Sequence, residues 1–162
     1  MSTFTIVSAA GRNQVKFLEE LLNEGADVNQ VEEGQSALHA ACANGAREAV
    51  EILIGHKADF NLKDESKGQT ALHYCAAHNY YDIAKMILEN GGKPDVADNF
   101  GNQALWTVVF NVKGKPERFP MVELFLKHGA DKNHKNNSGR SPLDFADILK
   151  YEPLIELLNK TV

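Results

Sequence analysis

A chain of 162 residues is long enough for one ordinary domain, and 43% hydrophobic with 24% charged residues exclude a disordered polymer. The formal net charge of −5 speaks against a nucleic-acid binder, which normally presents a basic face. The longest apolar runs, such as residues 104–110, fall far short of a bilayer span, and Met1-Ser2-Thr3-Phe4-Thr5 lacks the basic start and apolar core of a secretory leader, so a cytoplasmic protein without membrane contact is expected.

In chain order, residues 4–10 read as a short helix ended by Gly11-Arg12-Asn13, and residues 15–22 form an apolar-periodic second helix. Gly25-Ala26-Asp27-Val28-Asn29 closes this first unit. Gly34-Gln35-Ser36-Ala37-Leu38-His39 then opens a second, with Ser36 placed to cap a helix and Asn44-Gly45 to end it. The run Val50-Glu51-Ile52-Leu53-Ile54 follows, and then Lys57-Ala58-Asp59-Phe60-Asn61.

The same order returns three more times, once in full and twice in part. Gly68-Gln69-Thr70-Ala71-Leu72-His73 opens a third unit, residues 83–88 supply its second helix, and Gly91-Gly92-Lys93-Pro94-Asp95 is a degraded closing phrase. Gly101-Asn102-Gln103-Ala104-Leu105-Trp106 opens a fourth, residues 122–126 are its second helix, and Gly129-Ala130-Asp131-Lys132-Asn133 closes it. Gly139-Arg140-Ser141-Pro142-Leu143-Asp144 opens the last, with Pro142 where the first helical turn tolerates proline. The four leucines lie 34, 33 and 38 residues apart, so the fourth unit carries about five extra residues, assigned to a loop over 111–120. One helix pair cannot bury its apolar face alone, so neighbouring pairs must stack.

With two interleaved phrases in register, the chain resembles an ankyrin-repeat protein from about residue 3 to residue 159. The fold implied is all-α: a solenoid of about five helix-turn-helix units with β-turn loop fingers. Its boundaries are expected near 1–30 (an N-terminal cap), 31–63, 64–97, 98–135 and 136–162 (a C-terminal cap), all within one domain.

No HExxH, GxSxG, P-loop or GxGxxG phrase is present, and Cys42 and Cys75 lack CxxC spacing. They read as small buried apolar residues. His39 and His73 occupy the position where, in the family, a histidine hydrogen-bonds between neighbouring loops; Asp27, Asp59 and Asp131 recur at one loop position, which reflects architecture rather than paired-carboxylate chemistry. No enzyme, cofactor or metal is expected.

The resemblance implies a cupped hand that binds another protein, with loop tips as fingers and first helices as palm. Mapped onto this chain, the fingers are Glu32, Glu33 and Gln35; Ser66, Lys67 and Gln69; Asn99, Phe100 and Asn102; and Asn137, Ser138 and Arg140. The palm includes Ala43, Asn44, His78, Tyr80, Tyr81, Phe110 and Asn111, with Trp106 in place of a histidine and Arg118 in the insertion. Large aromatics dominate interface energetics, which puts Phe100 first. Residues 98–106, Phe110, the insertion and Ser141-Pro142-Leu143 also resemble a group of small bacterial ankyrin proteins taken to be immunity proteins that bind and inhibit a toxin. Chains of this length equally resemble ankyrin regulators such as cyclin-dependent kinase inhibitors and scaffold subunits. The acidic residues 1–66, with 11 acids and 5 bases, suit a basic partner, whereas residues 67–162 hold 11 acids and 12 bases. The chain is expected to be monomeric on its own.

Overall fold

A computed structural model describes residues 5–160; Phe4, placed by sequence in the first helix, lies outside them. Ten α-helices form five pairs among the described residues: α1 (Ile6–Gly11) with α2 (Val15–Asn23), α3 (Ala37–Asn44) with α4 (Arg47–Gly55), α5 (Ala71–His78) with α6 (Tyr81–Glu89), α7 (Ala104–Val112) with α8 (Phe119–Lys127), and α9 (Pro142–Leu149) with α10 (Glu152–Asn159). The odd-numbered helices stack in one layer in chain order, and α2, α4, α6, α8 and α10 stack in a second. The only strands among the described residues are β1 (Val31–Glu32) and β2 (Gln35–Ser36), an antiparallel hairpin pairing Val31 with Ser36.

The core is the space between the layers. Leu38, Leu72 and Leu105 descend from equivalent positions of α3, α5 and α7 and are almost wholly buried, as are Leu53, Ile87, Phe125 and Leu158 from the second layer. Cys42 and Cys75 are free thiols in the same core. Packing of this kind depends on neighbours, because each pair's apolar stripe is covered by the next pair.

Helix starts follow the capping chemistry of the sequence. The Ser36 backbone N–H donates to Nδ1 of His39 (3.1 Å), and the Thr70 N–H donates to Nδ1 of His73 at the same distance. Ser141 does the same with Asp144, its N–H donating to the carboxylate at 2.8 Å. The first helices then stop on left-handed residues: Gly45, Asn79, Lys113 and Lys150. Gly45 has φ +67°, and a β-carbon there would meet the Tyr80 ring at 2.9 Å, so this turn has two independent reasons to be glycine.

The extra residues of the fourth unit form little open loop. Asn111 and Val112 extend α7, Lys113 and Gly114 turn in the left-handed region, Pro116–Arg118 make one 3-10 turn, and Phe119 and Pro120 begin α8. Among the described residues no helix is long and apolar enough to cross a membrane.

Candidate functional site

The loops preceding the first helices are tied to one another by backbone bonds. Glu65 N–H donates to Gly34 carbonyl oxygen (2.9 Å), Asn99 N–H to that of Lys67 (2.9 Å), and Asn137 N–H to that of Phe100 (3.0 Å). The histidines of units two and three add a second tie. Because a backbone N–H can only donate, Nδ1 of His39 is an acceptor, and the ring proton of the neutral form sits on Nε2. From there it donates to the carbonyls of Leu62 and Gln69, each at 3.0 Å. His73 repeats the arrangement with Asn102 at 2.9 Å. Burial holds the pKa of both rings below the usual histidine value, which favours the neutral form. The aspartates of the closing phrases are architectural too: Asp27, Asp59 and Asp131 each accept from the backbone N–H two residues on, at 2.8–2.9 Å. Among the described residues no group of His, Cys, Asp and Glu is arranged to hold a metal.

Unit four breaks this scheme at two coupled positions. Gln103 stands where the other units have Ser or Thr and makes no capping bond. Its Nε2 donates to the Asp95 carbonyl (2.9 Å), while its Oε1 is buried without a partner. Trp106 replaces the histidine. The tie to the next loop is rebuilt from other residues: Asn136 Nδ2 donates to Asn102 Oδ1 (2.8 Å), and His134 Nε2 lies 3.0 Å from the Gly101 carbonyl.

Released from that duty, Trp106 joins an aromatic face. Its ring lies 5.3 Å from Phe145, and Phe110 lies 5.4 Å from the same ring. Lys113 Nζ sits 4.1 Å above the Phe110 ring, within cation–π range. Phe100 projects from the loop before α7 with 57% of its surface exposed, and Phe110 retains 40%. Ile148, one turn after Phe145 on α9, is 57% exposed and extends the face. A shallow cleft of about 280 Å³ runs along it, bounded by Lys67, Gln69, Phe100, Asn102, Trp106 and Phe110, with Asp98 and Thr107 also in its lining.

Six residues singled out by sequence therefore meet around one cleft; the others do not. Tyr80 leans over Gly45 and stacks on His78 (5.5 Å between centroids), lining a separate depression with Tyr81 at the turns between helices. Glu32 and Glu33 line a cavity beside α1 with Arg12 and Asn44. Gln35 is committed: its Nε2 donates to the Tyr74 hydroxyl (2.8 Å), which donates to Asp64 (3.1 Å). Burial, followed by the Asp64 charge, pushes the Tyr74 pKa up to about 12. Asn99 lies on the backbone ladder, its carbonyl accepting from Asn137 Nδ2 at 3.1 Å. Ala43 and Asn44 lie at the end of α3, where Asn44 Nδ2 donates to the Ala40 carbonyl; Asn111 makes the equivalent bond to Thr107 in α7. Arg118 falls in the 3-10 turn, and Ser66, Asn137, Ser138 and Arg140 are exposed loop residues.

Sequence reading missed Tyr74, His134, Phe145 and Ile148. Register held the signal for two of them: with Leu143 aligned on Leu105, Phe145 falls opposite Thr107 and Ile148 opposite Phe110. His134 offered no such signal, because it lies outside both repeated phrases.

Comparison with known proteins gives these features a context. Residues 6–98 match the family model described as ankyrin repeats, in three copies. A Rickettsia felis chain described as an ankyrin repeat protein is 35% identical over 74% of this chain and 38% of its own length. The human ankyrin repeat and SOCS box protein 6 is 27% identical over 83% of this chain and 32% of its own. An Arabidopsis thaliana ADP-ribosylation factor GTPase-activating protein is 36% identical over 45% of this chain and 9% of its own. The chain thus spans well under half the length of each of these relatives.

Proposed function

This chain belongs to the ankyrin-repeat family, a protein-interaction fold, and from that premise we propose that it is a non-enzymatic binding protein whose partner docks on the aromatic face of units four and five. The observation that carries the reading is the exchange in unit four. There, one latch position is filled by Trp106 beside Phe100 and Phe110, and two of those three aromatics stay exposed, at 57% and 40%. Apolar side chains gathered on one open face mark an interaction surface, and aromatic anchors of this kind supply most of the energy of a protein interface.

The finer reading is inhibition: covering a partner toxin's active site in the manner of an immunity protein, by a chain that is monomeric, cytoplasmic and without cofactor. It is supported by the resemblance of the unit holding Trp106 and Phe110 to that group. The second reading, an adaptor or regulatory inhibitor of a cellular enzyme, is favoured by relatives in which a similar stretch is one part of a longer protein. Capture from the native cell with the full chain and with Phe100→Ala or Phe110→Ala tests the site. Loss of one specific protein with either substitution supports it, and undiminished capture by both removes the aromatic face from the interface. Whether the captured protein loses a toxic activity on binding separates the two readings.

A further inference from the structure

Resting on the assignment of the aromatic face as the docking site, we propose that its occupant is an acidic segment: a stretch of partner chain presenting a large apolar side chain flanked by Asp or Glu. The face is apolar along its floor, and Lys67, Lys113 and Lys150 lie at its edges, with Asp147 the exposed acid beside Ile148. Lys67 bounds the cleft on the loop side. Lys113 and Lys150 end α7 and α9, the helices that supply Trp106, Phe110, Phe145 and Ile148.

None of these lysines forms an ion pair with an acid among the described residues. The two ion pairs among the described residues are Arg47 with Glu51 and Lys85 with Glu89, both distant in sequence from this face. One acid, Asp98, lines the cleft itself; it is buried, and its Oδ1 accepts N–H bonds from Phe100 and Asn102 at 2.9 Å each, so its carboxylate is engaged by its own loop. Asp144 is similarly engaged by the Ser141 N–H.

The backbone adds a second indication. Lys113 and Lys150 occupy left-handed positions, φ +37° and +52°, where units two and three use Gly45 and Asn79. A lysine gains nothing conformationally there. Lys113 instead holds its ammonium over Phe110, where a carboxylate could reach it while its neighbouring apolar side chain enters the cleft. The overall acidity of the chain would favour a basic partner as a whole, so the acidic segment is a local feature of the contact.

The test is a random 12-residue peptide library selected on the full chain, followed by titration of the winning synthetic peptide. Enrichment of Asp and Glu around a Trp, Phe or Leu is expected. Its affinity should fall about ten-fold or more with Phe110→Ala, and several-fold with Lys67→Gln combined with Lys113→Asn. That double variant should also flatten the dependence on salt; asparagine suits the left-handed position, so folding is not at stake. Winning peptides that are basic or uncharged yet still lose affinity with Phe110→Ala would overturn the acidic occupant and leave the docking face standing. Peptides that bind undiminished by both Phe100→Ala and Phe110→Ala would overturn the docking face as well.

Discussion

Units two and three solve the same structural problem as unit four by opposite means. In the first two, a hydroxyl residue and a histidine close the helix start and reach across to the next loop, through His39 to Gln69 and His73 to Asn102. Every polar atom of that latch is used, and the positions matching Phe110 hold Ala43 and Ala77, while Tyr74 of α5 is tied to Gln35 and Asp64. Unit four gives up the latch, leaves Gln103 Oε1 without a partner, and turns Trp106 and Phe110 toward Phe145. One region spends its residues on holding neighbours together; the other spends them on surface.

The contrast can be broken or sharpened by substitution. The largest effect belongs to the shared core: Leu72→Ala should cost about 2–5 kcal/mol in chemical denaturation, since the side chain is fully buried. An unaltered midpoint would contradict its place in the stack. Acidification comes next. Because His39 and His73 have folded-state pKa values below their ordinary 6.5, the unfolded chain binds protons more readily. Stability should be whole above pH 6.5 and fall as the pH drops through the lowered values. Hydrogen exchange at pH 5 should then loosen the loops of units two and three before that of unit four, which has Trp106 instead; uniform loosening would show that the latches are not the sensitive element.

Smaller still is the cap itself. Ser36→Ala should cost about 1 kcal/mol, whereas Gln103→Ser, which offers unit four the missing cap, should raise the melting temperature slightly. A fall on Gln103→Ser would mean that its bond to the Asp95 carbonyl outweighs the orphaned oxygen. Smallest is Phe100→Ala, which should change stability by no more than about 0.5 kcal/mol, because more than half of the ring is in solvent. A larger loss would make Phe100 a structural residue.

The repeated phrases made the fold legible. The spacing of Leu38, Leu72, Leu105 and Leu143 gave the pairing of layers, and Ser36, Thr70 and Ser141 marked helix starts where the structure has them. The site was only half legible. Phe100, Trp106 and Phe110 stood out as departures from the repeat, but departure alone could not tell a surface aromatic from a packed one. Tyr80 looked equivalent by that measure, yet it covers Gly45, a contact between turns 35 residues apart that no local pattern encodes. Gln35 likewise looked free until Tyr74 and Asp64 claimed it. Periodicity reports which residues share a role; it is silent about partners that differ from one unit to the next.

The loop ladder has one consequence for how such a protein can change over generations. At Phe100 the carbonyl is held by Asn137 and the amide by Asp98, so the main chain is fixed from both sides while the ring hangs free. Descendants can exchange that single side chain for almost any other without disturbing the register of the loops around it. On the proposed docking face, a new specificity is then reachable one codon at a time, on a frame that does not notice the experiment.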